Sequence, residues 1–282
     1  MHLSTALKLA KDIMSHFEAI DEAESFAKHM LACLTGIEVK RLFLHSDQAL
    51  SDDEVQRYLT CVRRGLSGEP VSRIFHKRCF WRHEFYVNAD VLDPRPDSEI
   101  IIEAAKEHVN DSSAAIRILD LGTGSGCLLI TLLHEFKNAY GVGVDLSEKA
   151  LKAAVRNTKS LKAYDRADFV CGHWGQTISG EFDVIVVNPP YIPSEEISNL
   201  SNNVKNFDPR LALDGGKDGL VCYREIAAFL RKLLRPSVGA AFFEVGAGQT
   251  PAVIRIFEAQ GCCVKKVFKD LNGIDRCLKV QS

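Results

Sequence analysis

The segment Ile116-Arg117-Ile118-Leu119-Asp120-Leu121-Gly122-Thr123-Gly124-Ser125-Gly126 runs from an apolar, β-branched stretch straight into three closely spaced glycines. Its first half reads as a buried strand and the residues from Cys127 onward as a helix. The glycines therefore fall at the carboxyl end of a strand, where open α/β sheets bind ligands. Glycine lets a backbone turn sharply and approach a ligand closely, although a Gly-rich turn alone is also compatible with a mere tight turn. A phosphate loop would need Gly-x-x-x-x-Gly-Lys-Ser/Thr, which is absent. A nicotinamide fingerprint would need a third glycine where Leu129 stands, counting from Gly124.

Reading outward toward the C-terminus, apolar runs at 116–121, 140–146, 168–171, 182–188, 239–245, 264–269 and 276–280 alternate with helical patterns, the signature of a parallel sheet with crossover helices. Only Leu271-Asn272-Gly273-Ile274-Asp275 separates the last two runs, too short for a helical crossover, so these strands pair antiparallel. The expected fold is α/β and Rossmann-like, a seven-stranded, mostly parallel sheet with one antiparallel edge strand.

Reading outward toward the N-terminus, residues 1–73 predict a small helical domain. Leu3, Leu7, Ala10, Met14 and Phe17 recur at helical spacing; Asp21 with Glu24 and Ser51 with Glu54 each form a cap-x-x-Glu start; Gly36 supplies a stop. The second cap opens a helix with Val55, Tyr58, Leu59 and Val62 inward. Gly68-Glu69-Pro70 ends the helical pattern, and the alternation from Arg78 to Val87 predicts a β-hairpin, giving a linker at 74–93. The third segment, 94–282, holds the sheet. In Asp93-Pro94-Arg95-Pro96 each proline forces its predecessor into extended geometry, and Asp97 can cap a helix bearing Ile100, Ile101 and Ala104.

The 282 residues are 46% hydrophobic and 26% charged, an ordinary globular composition. A formal net charge of -2 argues against wrapping a long nucleic acid, which demands a strong basic excess. No run reaches the roughly 18 apolar residues of a membrane span, and Lys8, Lys11, Asp12 and His16 mark the start as an amphipathic helix instead of a targeting peptide. The nine cysteines are odd in number and show no C-x-x-C pair, so neither a disulfide framework nor a zinc site is suggested, and a cytoplasmic location is expected.

Three further features surround the glycine loop. Asp145 ends the second strand about twenty residues on, where a carboxylate can accept both hydroxyl protons of a ribose, although it could instead cap the helix that Ser147 also precedes. Trp174 follows the third strand, where an indole face can stack on adenine or simply pack in the core. Asn188-Pro189-Pro190-Tyr191 ends the fourth strand and is the most specific signal. Two prolines remove two backbone donors and stiffen the turn, leaving an acceptor site. Asn188 Oδ1 and the Pro189 carbonyl can each take one hydrogen of a planar –NH2 group, turning its lone pair toward a methyl donor, while Tyr191 packs on the substrate plane and favours a nearby sulfonium. These residues point to N-methylation from S-adenosyl-L-methionine with no metal and no general base, the rate coming from alignment and desolvation.

At this point the sequence resembles the release-factor glutamine methyltransferases, the PrmC/HemK family, over nearly its whole length. The matching stretches are Phe80-Trp81 through Val87, Val91 through Glu99, the glycine loop, Asn188 through Ile192, Asp208 through Leu220, Glu244 through Gln249, and Asp270 through Arg276. The resemblance implies methyl transfer to the side-chain amide N5 of the glutamine in the Gly-Gly-Gln loop of peptide-chain release factors. It implies donor binding by Gly122, Thr123, Gly124, Ser125, Gly126, Asp145, Trp174 and Asn188. It places the substrate against Asn188, Pro189, Pro190 and Tyr191, with Asn188, Pro189 and Tyr191 as the catalytic set and the N-terminal helices holding the protein substrate. Three positions depart from the family pattern: Asp93 where an aliphatic residue is usual, His173 where an acidic one is common, and Asp208 where glutamate is common.

Two other readings share parts of this pattern. A DNA or RNA exocyclic-amino methyltransferase poses the same alignment problem but would need a basic target-recognition region for a flipped base, and none is apparent. A catalytically inactive donor-binding interaction protein would have no need of an intact Asn188-Pro189-Pro190-Tyr191. The expected partner is a release factor, with no direct nucleic-acid or membrane contact, and the expected state is a monomer.

Overall fold

The computed structural model describes residues 1–14 and 23–282, in two compact units, Met1–Lys77 and Arg78–Ser282. The first unit is helical, with α1 (Leu3–Met14), α2 (Ala23–Thr35), α3 (Asp52–Leu66) and the short α4 (Val71–Phe75). Leu3, Ala6 and Ala10 of α1 are buried with Met30, Leu31, Tyr58 and Val62, while Leu7, Val55 and Leu59 are half-buried. The expected inward Phe17 and the Asp21 cap lie outside the described residues. Ser51 caps α3 as its spacing predicts: its Oγ accepts from the Glu54 N–H at 3.3 Å while Glu54 accepts from the Ser51 N–H at 2.8 Å. Gly36, at φ +74°, ends α2 in the left-handed conformation that glycine adopts without steric penalty.

The predicted hairpin, β1 (Lys77–Phe80) and β2 (His83–Tyr86), follows, all of it but Lys77 within the second unit. Phe80 and Phe85 meet edge to face at 6.3 Å and are buried in the same core as Ile101 and Leu129, so this hairpin is packed into the second unit. Helix α5 (Glu99–Val109) follows, and then the sheet: β3 (Arg117–Leu121), α6 (Cys127–Glu135), β4 (Tyr140–Asp145), α7 (Glu148–Ser160), β5 (Ala167–Cys171), β6 (Val184–Val187), a connection through α8 (Asn202–Phe207) to α9 (Val221–Leu233), β7 (Ala240–Glu244), α10 (Thr250–Ala259), β8 (Cys263–Lys269) and β9 (Asp275–Gln281). The seven strands lie in the order β5-β4-β3-β6-β7-β9-β8.

The mostly parallel seven-stranded sheet is the one the apolar runs predict, with one refinement. The single reversed strand, β9, lies one place in from the edge, pairing antiparallel with both β7 and β8, and β8 takes the edge itself. The crossover through α10 carries β8 past a gap, and the short return after Lys269 fills it. The central strands are covered on both faces, which is why β6 reads as four consecutive buried apolar residues. Along β3, β6 and β7, Ile118, Val184, Val186, Ala240 and Phe242 face α5 and α6, while Leu119, Leu121, Ile185, Val187, Ala241 and Phe243 face α9 and α10. Strand order reverses at β3, with β4 on one side and β6 on the other, and a crevice opens beyond the carboxyl ends at such a switch point.

Candidate active site

The carboxyl ends of β3, β4 and β6 open onto a cavity of about 300 Å³. It is lined by Gly122, Thr123, Gly124, Ser125, Asp145, Trp174, Asn188 and Pro190 of the sequence-predicted set. Gly126, Pro189 and Tyr191 are not among its lining residues. Gly122, Gly124 and Gly126 all have positive φ (+76°, +55° and +79°). Two of them serve different ends. A Cβ on Gly122 would come within 3.3 Å of the Trp174 ring, at the cavity; one on Gly126 would meet Ile130 at 3.0 Å and Ala154 at 3.3 Å, so this glycine lets α6 and α7 pack closely.

Asp145 holds the loop from the neighbouring strand. Its Oδ2 accepts from the Gly124 N–H at 2.8 Å and its Oδ1 from the Ser147 N–H at 2.9 Å. Ser147 Oγ caps α7, so the helix start does not require Asp145, and both carboxylate oxygens retain a lone pair for a ligand. Burial raises the Asp145 pKa, against the pull of those backbone donors. Asp120 lies deeper. It accepts from Thr123 Oγ at 2.6 Å, its Oδ1 has no hydrogen-bond partner among the described residues, and burial pushes it up to about 7. The cavity wall carries Asp90, Asp145, Asp214 and Glu225 against a single Arg95, which favours a ligand bearing positive charge.

Trp174, at φ +50°, donates from Nε1 to Glu225 Oε2 at 2.8 Å, and His173 Nε2 lies 3.5 Å from the same oxygen. Gln176 Nε2 sits 3.3 Å from His173 Nδ1; with Gln176 as donor there, His173 turns its Nε2–H toward Glu225. The other two departures from the family pattern meet each other. Buried Asp208 accepts from the Asp93 N–H at 3.2 Å and from Arg95 at 2.5 Å, joining the 93–95 stretch to the segment after β6.

The Asn188 turn is fastened from two directions. Asn188 Nδ2 donates to Ser98 Oγ at 3.0 Å, and Ser98 Oγ donates to Glu244 Oε2 at 2.5 Å. The Tyr191 hydroxyl donates to Glu244 Oε1 at 3.4 Å; Gln249 Nε2 donates to the Tyr191 carbonyl at 2.8 Å. Burial raises Glu244 to about 7 and pushes Tyr191 well above the usual phenol range in spite of Arg276 nearby, so Tyr191 stays a neutral donor. Tyr191 thus braces the turn from behind. No individual role for Ser98, Glu244, Gln249 or Glu225 is evident from the sequence. One signal was available for Glu244: it closes the otherwise apolar, wholly buried run of β7.

Residues 5–75 match the family profile described as the PrmC N-terminal domain, and residues 92–225 match the methyltransferase small domain. A release factor glutamine methyltransferase of Rhodospirillum rubrum is 42% identical over 257 residues, covering 91% of this chain and 77% of that one. One of Bradyrhizobium diazoefficiens is 39% identical over 265 residues, covering 93% and 89%. Among solved structures, a methyltransferase from Pyrococcus furiosus superposes with a TM-score of 0.51 at 16% identity, covering 82% of this chain and 98% of that one, a likeness of fold alone.

Proposed function

The chain belongs to the release factor glutamine methyltransferase family, and we propose on that premise that it moves a methyl group from S-adenosyl-L-methionine to the side-chain amide N5 of the glutamine in the Gly-Gly-Gln loop of peptide-chain release factors. The observation that carries the proposal is the state of Asn188: it lines the cavity with its –NH2 engaged by Ser98, so its Oδ1 is left to accept from a substrate amide.

The donor site fits this reading on the residues present. Gly122 admits a ligand where a side chain would crowd Trp174, Asp145 offers spare acceptor positions for ribose hydroxyls, and the excess of carboxylates suits a cation. Trp174 supplies an aromatic wall for the adenine. When bound, S-adenosyl-L-methionine supplies a methyl group made electrophilic by its sulfonium. Gly122 through Gly126, Asp145 and Trp174 would hold it.

An amide nitrogen is a weak nucleophile because its lone pair is delocalised. Asn188 Oδ1 and the Pro189 carbonyl each accept one N–H of the glutamine amide, fixing its plane and raising electron density on nitrogen. Holding the amide in line can contribute several kcal/mol, on the order of the gains seen for well-oriented reactants. The proton leaves after transfer, when nitrogen has become acidic, so no side chain is required as a base. The Met1–Lys77 unit is assigned a part in holding the protein substrate, and the chain acts as a cytoplasmic monomer.

Incubation with methyl-labelled S-adenosyl-L-methionine tests the proposal. Label enters release factor and is lost when the loop glutamine is replaced by alanine. Label entering DNA and not release factor would overturn it.

A further inference from the structure

A primary amide presents an acceptor on one side and two donors on the other, and the two orientations occupy nearly the same space. Only one of them serves at Asn188: oxygen forward accepts from the substrate –NH2, whereas nitrogen forward sets donor against donor. Asn188 continues the side of β6 marked by Val184 and Val186, and Glu244 the side of β7 marked by Ala240 and Phe242, with Val187 registered against Phe243. The two side chains therefore emerge on the same face at the carboxyl end of adjacent strands, and Ser98, just before α5, bridges them.

We infer that Ser98 and Glu244 are positioning residues that fix the orientation of the Asn188 amide, an inference that rests on the glutamine-methyltransferase reading above. The hydrogen-bond directions leave one consistent pattern. An ionised Glu244 can only accept, so the Ser98 hydroxyl, 2.5 Å away, must donate to it. The oxygen of Ser98 can then only accept from Asn188, which at 3.0 Å must offer Nδ2. Tyr191 donates to the other Glu244 oxygen and holds the carboxylate from the turn itself. A proton on Oε2 reverses the pattern: Glu244 donates to Ser98, the Ser98 hydrogen swings toward Asn188, and the amide turns its nitrogen into the cavity.

Glu244 is set where this reversal falls near neutrality. Burial pushes it up to about 7, against Arg276 of β9, while Asp97 before α5 acts with burial. The other titratable groups around it are neutral: Tyr191, Tyr223 of α9, Cys277 of β9 and Cys127 of α6, the last three held well up by burial.

Two measurements separate this role from simple support. In protein labelled with nitrogen-15 at asparagine, the Asn188 side-chain amide resonance should titrate near pH 7, and Glu244→Gln should abolish that titration. In steady-state kinetics Ser98→Ala should lower kcat roughly 10- to 100-fold, the scale of a lost charge-assisted hydrogen bond, with KM for release factor and donor affinity unchanged. Wild-type kcat should fall below about pH 7, and Glu244→Gln should flatten that limb. An Asn188 resonance indifferent to pH, or a Ser98→Ala variant that keeps kcat or loses donor affinity instead, would overturn the inference. Because the resonance is read without substrate, it decides the matter even if wild-type enzyme leaves release factor unlabelled, the result that would sink the functional reading alone.

Discussion

Asp145 does two things with one carboxylate: it ties down the Gly124 and Ser147 backbone and keeps acceptor capacity facing the cavity. Asp145→Asn exchanges one acceptor for a donor. The expected result is at least about a tenfold loss of S-adenosyl-L-methionine affinity by calorimetry, corresponding to roughly 1.5–3 kcal/mol for a hydrogen bond to a charged group. Gly122→Ala places a Cβ in the left-handed region and within 3.3 Å of Trp174. It should lower stability by about 1–2 kcal/mol, read as a drop in Tm, and weaken donor binding as well. That Asp145, Trp174 and Asn188 line one cavity was legible in the sequence because each ends or directly follows an apolar run, and strand ends are where open α/β sheets form their crevice. The bridge from Glu244 through Ser98 to Asn188 was not, since Ser98 and Glu244 stand 146 residues apart and the bridge forms only once β6 and β7 pair.

Among the elements, α7 makes an unexpected connection. Buried Asn157 accepts from the Tyr86 N–H at 2.7 Å and donates to the Tyr86 and Ser125 carbonyls at 2.9 Å each, so one side chain ties the hairpin to the glycine loop. Asn157→Ala removes these three interior hydrogen bonds and should destabilise by about 2–4 kcal/mol in denaturant unfolding, with donor affinity falling too. Ser51→Ala removes the α3 capping box at an exposed site and should cost about 1 kcal/mol without touching donor affinity. The strands were readable because apolar runs covered on two faces leave little ambiguity, and their ends fell within a few residues of expectation. The place of β9 was not, since a short loop fixes that two strands are antiparallel without saying which of them takes the edge. The hairpin read as a linker because alternation reveals pairing but not what Phe80 and Phe85 pack against.

For the molecule as a whole, two buried carboxyls toward the carboxyl ends of β3 and β7 are held near neutrality by burial, Asp120 and Glu244, both at about 7. A raised carboxyl keeps its proton in the folded chain while the unfolded chain has lost it. Folding stability from these groups therefore falls as pH rises from the usual carboxylate range to about 7, and is level above. Glu244→Gln removes one share of that slope, so the variant's Tm relative to wild type should climb between about pH 5 and about pH 7 and then stay constant. A constant difference across that window would show that Glu244 ionises normally. If Glu244 orients Asn188 as inferred above, the ionisation that weakens the fold is also the one that turns the Asn188 oxygen toward the cavity.

In the proposed function, the Asn188 turn presents a release-factor glutamine for methylation. Mass spectrometry of the Gly-Gly-Gln peptide, taken from release factor treated with wild-type or Asn188→Ala protein and S-adenosyl-L-methionine, decides whether it does. One added methyl group is expected on the glutamine side chain with wild type, and a rate lowered about 100-fold or more with Asn188→Ala, the scale of a lost transition-state contact. A methyl group on any other residue, or an Asn188→Ala variant that works at the wild-type rate, would contradict it.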